Sequence, residues 1–479
     1  MSKNKKQQAF WVILALVMGV IILGFSTPSE ERLVRAKEQF IAPPKPSDLR
    51  KYQAVTLPSK KGDEPGLVTV QTASFIVTAK RKEVAYSKAI FSSEAVLMAK
   101  VLEYWKEKLE WYLLGKNFPP YTHPRTGKPD RVVVRIHSGS VLGDGGVTSF
   151  VYLNDYDSQG NIKRRLGPTD FRMEVQGSIR GLIDSTLNHE VGHVVLARHF
   201  KRPLQRCFDE GLCVTFESPS SRAKHDQWLH LFFTKIDGKY RTLPFSTIVS
   251  LRDYPQDILP LYSQGYSMTE YLILLGGGGI DGNRLFIKFM EDYYFLMDRG
   301  IWDPKLPFGG DMTKINNEIY KLERINKIKA ELKVLTNYDK IQELNKELEE
   351  IKGELHDKSK NLEYYYYWAK HISIAAWNLS LKEKYGGVGI NNLSDLQTTW
   401  IDYVVRGNRI SDQRMKAIRD FHSSTKELPK AILPIPSKVE EEILMLDLEW
   451  ERVDPEPSLE LEQEILELKK SLDNPSPLY

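Results

Sequence analysis

Two histidines and a glutamate, His189, Glu190 and His193, stand together in the pentapeptide HEVGH. The surrounding stretch SIRGLIDSTLNHEVGHVVLARHF has helical periodicity. Helix positions four apart share a face, so both imidazoles can reach one ion. Glu190 sits beside them, where a carboxylate can take a proton from a water. This is the residue set of a zinc (Zn2+) hydrolase. Such a site needs a third ligand, and two residues compete for the place. From His193 the helix rises about 9 to 10 Å to its end near His199. Lys201 and Arg202 can turn the chain, and Pro203 suits the first position of a new helix. Seven residues from Pro203 to Glu210, within CFDEGLC, descend about 10 Å and bring that carboxylate level with the imidazoles. His199 is the alternative, ten residues after His189 as in the longer metzincin pattern HExxHxxGxxH. That pattern needs a glycine where this chain has Leu196, which continues the helix instead. His199 therefore reads as a surface or supporting histidine. His123, His225 and His230 lack ligand spacing and read as surface or core residues.

HEVGH followed by DEGL and then by YSQGYSMTEYLILLGG resembles the peptidase MA-like gluzincins, zinc metallopeptidases with an HExxH helix and a downstream glutamate. The resemblance runs from about Phe75 to Val405, and only the zinc motif and DEGL are specific. It implies that His189, His193 and Glu210 are zinc ligands and that Glu190 is the general base. It also implies that Tyr262 stabilises the tetrahedral oxyanion, with Tyr266 as its rival. The expected reaction is hydrolysis of a peptide bond in a peptide or protein substrate. Two departures stand out: a helical hairpin near Ile315–Leu355, and a short interval between His193 and Glu210. A scaffold that keeps the fold but acts through the hairpin is the reading from another class. The intact Glu190 argues against it, since a metal-only role has no use for that carboxylate.

The elements that must hold these residues are legible in outline. LVTVQTASFIVTA, Leu67 to Ala79, reads as one or two strands, as do Arg131–His137 and Val147–Leu153. The resemblance implies that Val147–Leu153 is an edge strand, to which an extended peptide could add. Ser93 can cap a helix from Glu94 to about Leu114. Helices are expected over Gly177–His199, Pro203–Phe216, Tyr262–Leu275 and Arg284–Phe295, with the run Gly276–Gly279 as a helix stop. Apolar residues keep helical spacing from Ile319 to Leu335 and again from Ile341 to Leu355, with a turn at Thr336–Asp339. This antiparallel hairpin is a candidate docking element for a protein partner. The fold class expected is α+β: a small N-terminal sheet with one helix, packed on a mainly helical zincin-like catalytic region.

The 479 residues divide on this reading into a cytoplasmic N-terminus 1–9, an apolar anchor or signal segment 10–25, a polar stalk 26–66, and a catalytic domain 67–300. A helical region 301–405 completes the domain, and an acidic, proline-punctuated tail spans 406–479. Lys3, Lys5 and Lys6 before the apolar run Phe10–Phe25 predict a single-pass membrane protein with its catalytic region outside the cytoplasm, or secretion if the segment is cleaved. The formal charge of +4 and the absence of a basic stripe with interleaved aromatics speak against nucleic acid as a partner. Cys207 and Cys213, six residues apart, have the wrong spacing for a Cys-based zinc site and read as small core residues.

Overall fold

Strands Leu67–Gln71 (β2) and Phe75–Lys80 (β3) alternate buried and half-exposed positions, the mark of a sheet covered on one face. The computed structural model describes residues 41–405, apart from 60–63, 140–144, 157–161, 234–240, 252–253 and 300–305. Six strands form one mixed sheet in the order β1-β2-β3-β6-β8-β7, where β1 is Val55–Thr56, β6 Val132–Ser138, β7 Gly145–Tyr156 and β8 Ile162–Gly177. A two-stranded ribbon, β4 (Val84–Tyr86) with β5 (Ala89–Phe91), stands apart from it. β3, β6 and β8 run parallel, and the outer pairs β2–β3 and β7–β8 are antiparallel. The crossover from β3 to β6 carries helix α1 (Glu94–Leu114). Ser93 caps it by accepting from the Val96 amide, and Gly115 ends it in the left-handed conformation. Trp105 of α1 is fully buried and donates its indole N–H to the Ile183 carbonyl at 3.1 Å, which ties α1 to the segment ahead of the histidine motif.

The sheet is larger than expected because Ile162–Gly177 is a strand. Its period of two is plain from Phe171 onward: Phe171, Met173 and Val175 are buried, while Arg172 and Glu174 are exposed. Gly167 and Pro168 hide that period in the preceding residues.

After β8 the chain is helical. α2 (Leu187–Phe200) follows a helical turn, Ile179–Gly181, and a π-turn, Leu182–Thr186. Next come α3 (Arg206–Thr215), α4 (Pro219–Phe233), α5 (Leu259–Leu275) and α6 (Gly279–Arg299). α7 (Met312–Leu332), α8 (Tyr338–Gly353), α9 (Leu362–Tyr385) and α10 (Leu393–Val405) complete the described residues. The molecule is α+β. α3 starts at Arg206 rather than Pro203, because Lys201 ends α2 in the left-handed conformation and the Gln205 amide donates to Tyr294 Oη at 2.7 Å. Met312, Ile315 and Ile319 of α7 belong to the main core, whereas Ile325 and Ile328 pack with Leu344 and Leu348 of α8 in a cluster of their own. Lys321 donates to the Glu354 carbonyl and Arg324 pairs with Glu347, so the two helices run antiparallel.

The expected membrane span does not stand. Among the described residues no helix is long and apolar enough to cross a membrane. The longest, α9, carries Glu363, Lys370, Lys382, Glu383 and Lys384. The apolar run Phe10–Phe25 and the acidic tail lie outside the described residues. The expected single-pass anchor is corrected accordingly: the described residues hold no span. Residues 41–57, at the end of the stretch expected as a stalk, include a fully buried Leu49, and Tyr104 of α1 donates to the Ala42 carbonyl at 2.8 Å.

Candidate metal centre

α2 carries His189 and His193 one turn apart, and their Nε2 atoms come within 3.1 Å of each other. Glu210 of α3 brings its Oε2 to 3.3 Å from His189 Nε2 and 3.5 Å from His193 Nε2. The protonation of both rings follows from what lies behind them. His189 Nδ1 faces Glu217 Oε1 at 2.7 Å, and His193 Nδ1 faces Asp209 Oδ1 at 2.8 Å. An ionised carboxylate only accepts, so each Nδ1 carries the proton and donates it. In the neutral rings both Nε2 lone pairs then point at one another and at Glu210 Oε2, an atom that is buried and has no hydrogen-bond partner. Three acceptors converging on one buried point repel unless a cation lies between them.

The spacing of these residues fits a small, tetrahedrally coordinated metal ion. Ligand atoms about 2.0–2.1 Å from a tetrahedral centre stand roughly 3.3–3.4 Å from one another. The observed triangle of 3.1, 3.3 and 3.5 Å matches that spacing. His189, His193 and Glu210 thus form a group able to hold a metal ion. A second grouping, His193 with Asp209 and Cys213, is the back of the same imidazole. Its Nδ1 proton is already engaged by Asp209, so Asp209 and Cys213 support the first group. Both cysteines are free and buried, as their spacing predicts.

Electrostatics agrees with the geometry. Burial disfavours a charged His189, but Glu210 and Glu217 outweigh it and hold its pKa well above 6.5 in the ion-free protein. Burial would raise the Glu210 carboxyl, yet His193 and His189 hold it well below the usual carboxylate range. A positive charge is wanted at this point, whether proton or metal.

The helices are placed for this by local contacts. Asn188 donates to the Phe216 carbonyl at 2.6 Å and accepts from the His189 amide at 2.8 Å, which locks the start of α2 to the end of α3. Phe208 of α3 stacks on Trp377 of α9 at 4.5 Å. Glu190 turns toward the sheet, where Thr148 of β7 donates to its Oε2 at 2.6 Å. β7 can come so close because residue 146 is glycine: a Cβ there would stand 2.6 Å from Glu190 Oε1.

No protein-family model, curated protein or solved structure matches this chain.

Tyr262, at the start of α5, lies beside Glu210; burial first, then the Glu210 charge, pushes its phenol upward, so it stays a donor. Its ring faces His225 of α4 at 6.4 Å. Tyr266 is buried and donates to Glu270 at 3.0 Å, on a neighbouring turn of α5. His199 pairs with Glu291 of α6 at 2.8 Å and is not part of the metal-holding group. His123 accepts from the Arg125 and Thr126 amides in a surface turn.

Five site residues escaped the sequence reading: Gly146, Thr148, Asp209, Glu217 and Tyr254. Tyr254 donates to Glu210 Oε1, and its ring receives Arg206 at 4.5 Å. Asp209 and Glu217 carried a signal, since they flank Glu210 by one and by seven residues, close to two helical turns. Gly146, Thr148 and Tyr254 carried none, because they reach the site through long-range packing.

Proposed function

We propose that this protein is a zinc-dependent metallopeptidase with a zincin-like arrangement, similar to the gluzincins, that hydrolyses peptide bonds. The observation that carries the reading is the buried triangle of two Nε2 lone pairs and the unpartnered Glu210 Oε2, with Glu190 beside it. Zinc is favoured by a donor set of two imidazoles and one carboxylate at tetrahedral spacing. When bound, the ion would polarise a substrate carbonyl and acidify a water.

The chain's own groups supply the rest. Glu190, oriented by Thr148 and pressed against Gly146, accepts the water proton on a carboxylate oxygen and returns it to the leaving amine. Tyr262, kept protonated by burial and by Glu210, donates to the oxyanion, while Tyr254 holds Glu210 by donating to its Oε1. Asp209 and Glu217 orient the two imidazoles through their Nδ1 protons. Among the described residues β7 is the last strand of the sheet with no strand paired to its outer edge, which suits an extended peptide, and Val147 and Val151 are exposed on it.

The test is a peptide-library digest by the zinc-loaded full chain and by Glu190→Gln. Hydrolysis that falls by about 10²-fold or more in the variant, with zinc retained, supports the reading. A zinc-loaded chain that cleaves nothing, and that the Glu190→Gln substitution leaves unchanged, makes it a scaffold instead.

A further inference from the structure

The last turn of α2 also borders a cavity of about 500 Å³ that none of His189, Glu190, His193 or Glu210 lines. Its volume lies within the range of small-molecule sites. Its charge is one-sided. Lys116, Arg164, Arg198 and Lys201 line it, against a single carboxylate, Glu110. Glu110 is already neutralised by Lys106 at 2.9 Å and accepts from Tyr121 Oη at 2.9 Å. Arg198 is paired with Asp130 at 2.9 Å and held between the rings of Tyr121 and Phe171, 3.6 and 4.6 Å from their centroids. Lys116, Arg164 and Lys201 have no ion-pair partner among the described residues. Three exposed cations without an ion-pair partner among the described residues therefore line one cavity from three elements, the end of α1, the β8 strand and the end of α2, with Lys116 over the Phe118 ring at 5.0 Å.

Cations after a helix offset the negative end of its dipole, and that ordinary role covers Lys116 and Lys201. It does not cover Arg164, which is on a strand. Lys201 moreover occupies a left-handed position, φ 55°, where glycine is the usual residue, and its stem lies over Gly167. The remaining wall is apolar, with Phe118, Pro119, Pro124, Leu166, Pro168 and Val195. Such a lining suits a ligand with an apolar body and an anionic head. We propose that this cavity binds a small organic anion, a carboxylate or phosphate ester with an apolar body, through Lys116, Arg164 and Lys201.

Phenyl phosphate and benzoate serve as probes, titrated calorimetrically into the zinc-loaded full chain. At least one is expected to bind saturably at one site per chain, and the tighter of the two identifies the anionic group. The double variant Arg164→Glu/Lys201→Glu is expected to weaken it at least tenfold. Arg164→Gln, milder and on an exposed strand position, is expected to weaken it at least threefold with an unchanged melting temperature. His189→Ala separates the cavity from the metal centre and is expected to leave the affinity within twofold. No saturable binding of either probe, affinity unmoved by the charge variants, or loss of binding in His189→Ala would overturn the proposal.

Discussion

At Glu210 the two carboxylate oxygens have different partners: Oε1 accepts from Tyr254, while Oε2 faces the two imidazoles and has no hydrogen bond. Behind those imidazoles, Asp209 and Glu217 fix which nitrogen carries the proton. Their removal should weaken the metal without abolishing it. Asp209→Ala and Glu217→Ala are each expected to lower zinc affinity about 10- to 100-fold, read by chelator competition. Wild-type affinity in both variants would detach these carboxylates from the site. The same contacts predict a pH dependence. In the ion-free protein the His189 pKa is raised, so its proton persists above pH 6.5 and zinc must displace it. Apparent zinc affinity should therefore climb from pH 6 to pH 8, by about tenfold per pH unit for each proton released. A flat profile would contradict this account.

Among the elements, α3 is tightly constrained, because it delivers Glu210 and Asp209 while crossing α5 at very short range. A Cβ at Gly211 would stand 2.3 Å from the Gly265 carbonyl oxygen. Gly211→Ala must push the two helices apart, at a cost of roughly 1–3 kcal/mol, and it shifts the residue next to Glu210. The expected result is a lower melting temperature together with weaker zinc binding. A melting temperature and metal content both equal to wild type would show that α3 has slack there. The turn between α2 and α3 was legible from the motif spacing alone, since two helices of fixed rise have to bring Glu210 back to the histidines. The turn at Lys201 was legible as well, though not its left-handed backbone, and the next helix starts at Arg206 rather than Pro203. β8 was missed because Gly167 and Pro168 interrupt its alternation, and with β8 unread nothing placed β7 against Glu190. Contacts between a strand and a helix 42 residues apart, such as Thr148 with Glu190, leave no local pattern.

At the scale of the whole molecule, the sheet, α1 and the helices around α2 and α3 share one core, while the outer half of α7 and all of α8 hold a separate apolar cluster. The hairpin spacing was readable because both arms keep a helical apolar period; its independence from the core was not. Replacing residues 322–353 with a short flexible linker is expected to leave the metal content unchanged and to move the melting temperature by only a few degrees. Loss of the metal on that deletion would mean that the hairpin braces the site. Among the described residues no helix is long and apolar enough to cross a membrane, and the apolar run Phe10–Phe25 lies outside them. The account as a whole stands on one closure, two imidazoles from α2 and one carboxylate from α3 around a single ion. Its most direct measurement is the zinc content of the purified chain in wild type, Glu210→Ala and His199→Ala. One ion per chain in wild type and His199→Ala, with none retained in Glu210→Ala, is the predicted result. Stoichiometric zinc in Glu210→Ala, or its loss in His199→Ala, would contradict it.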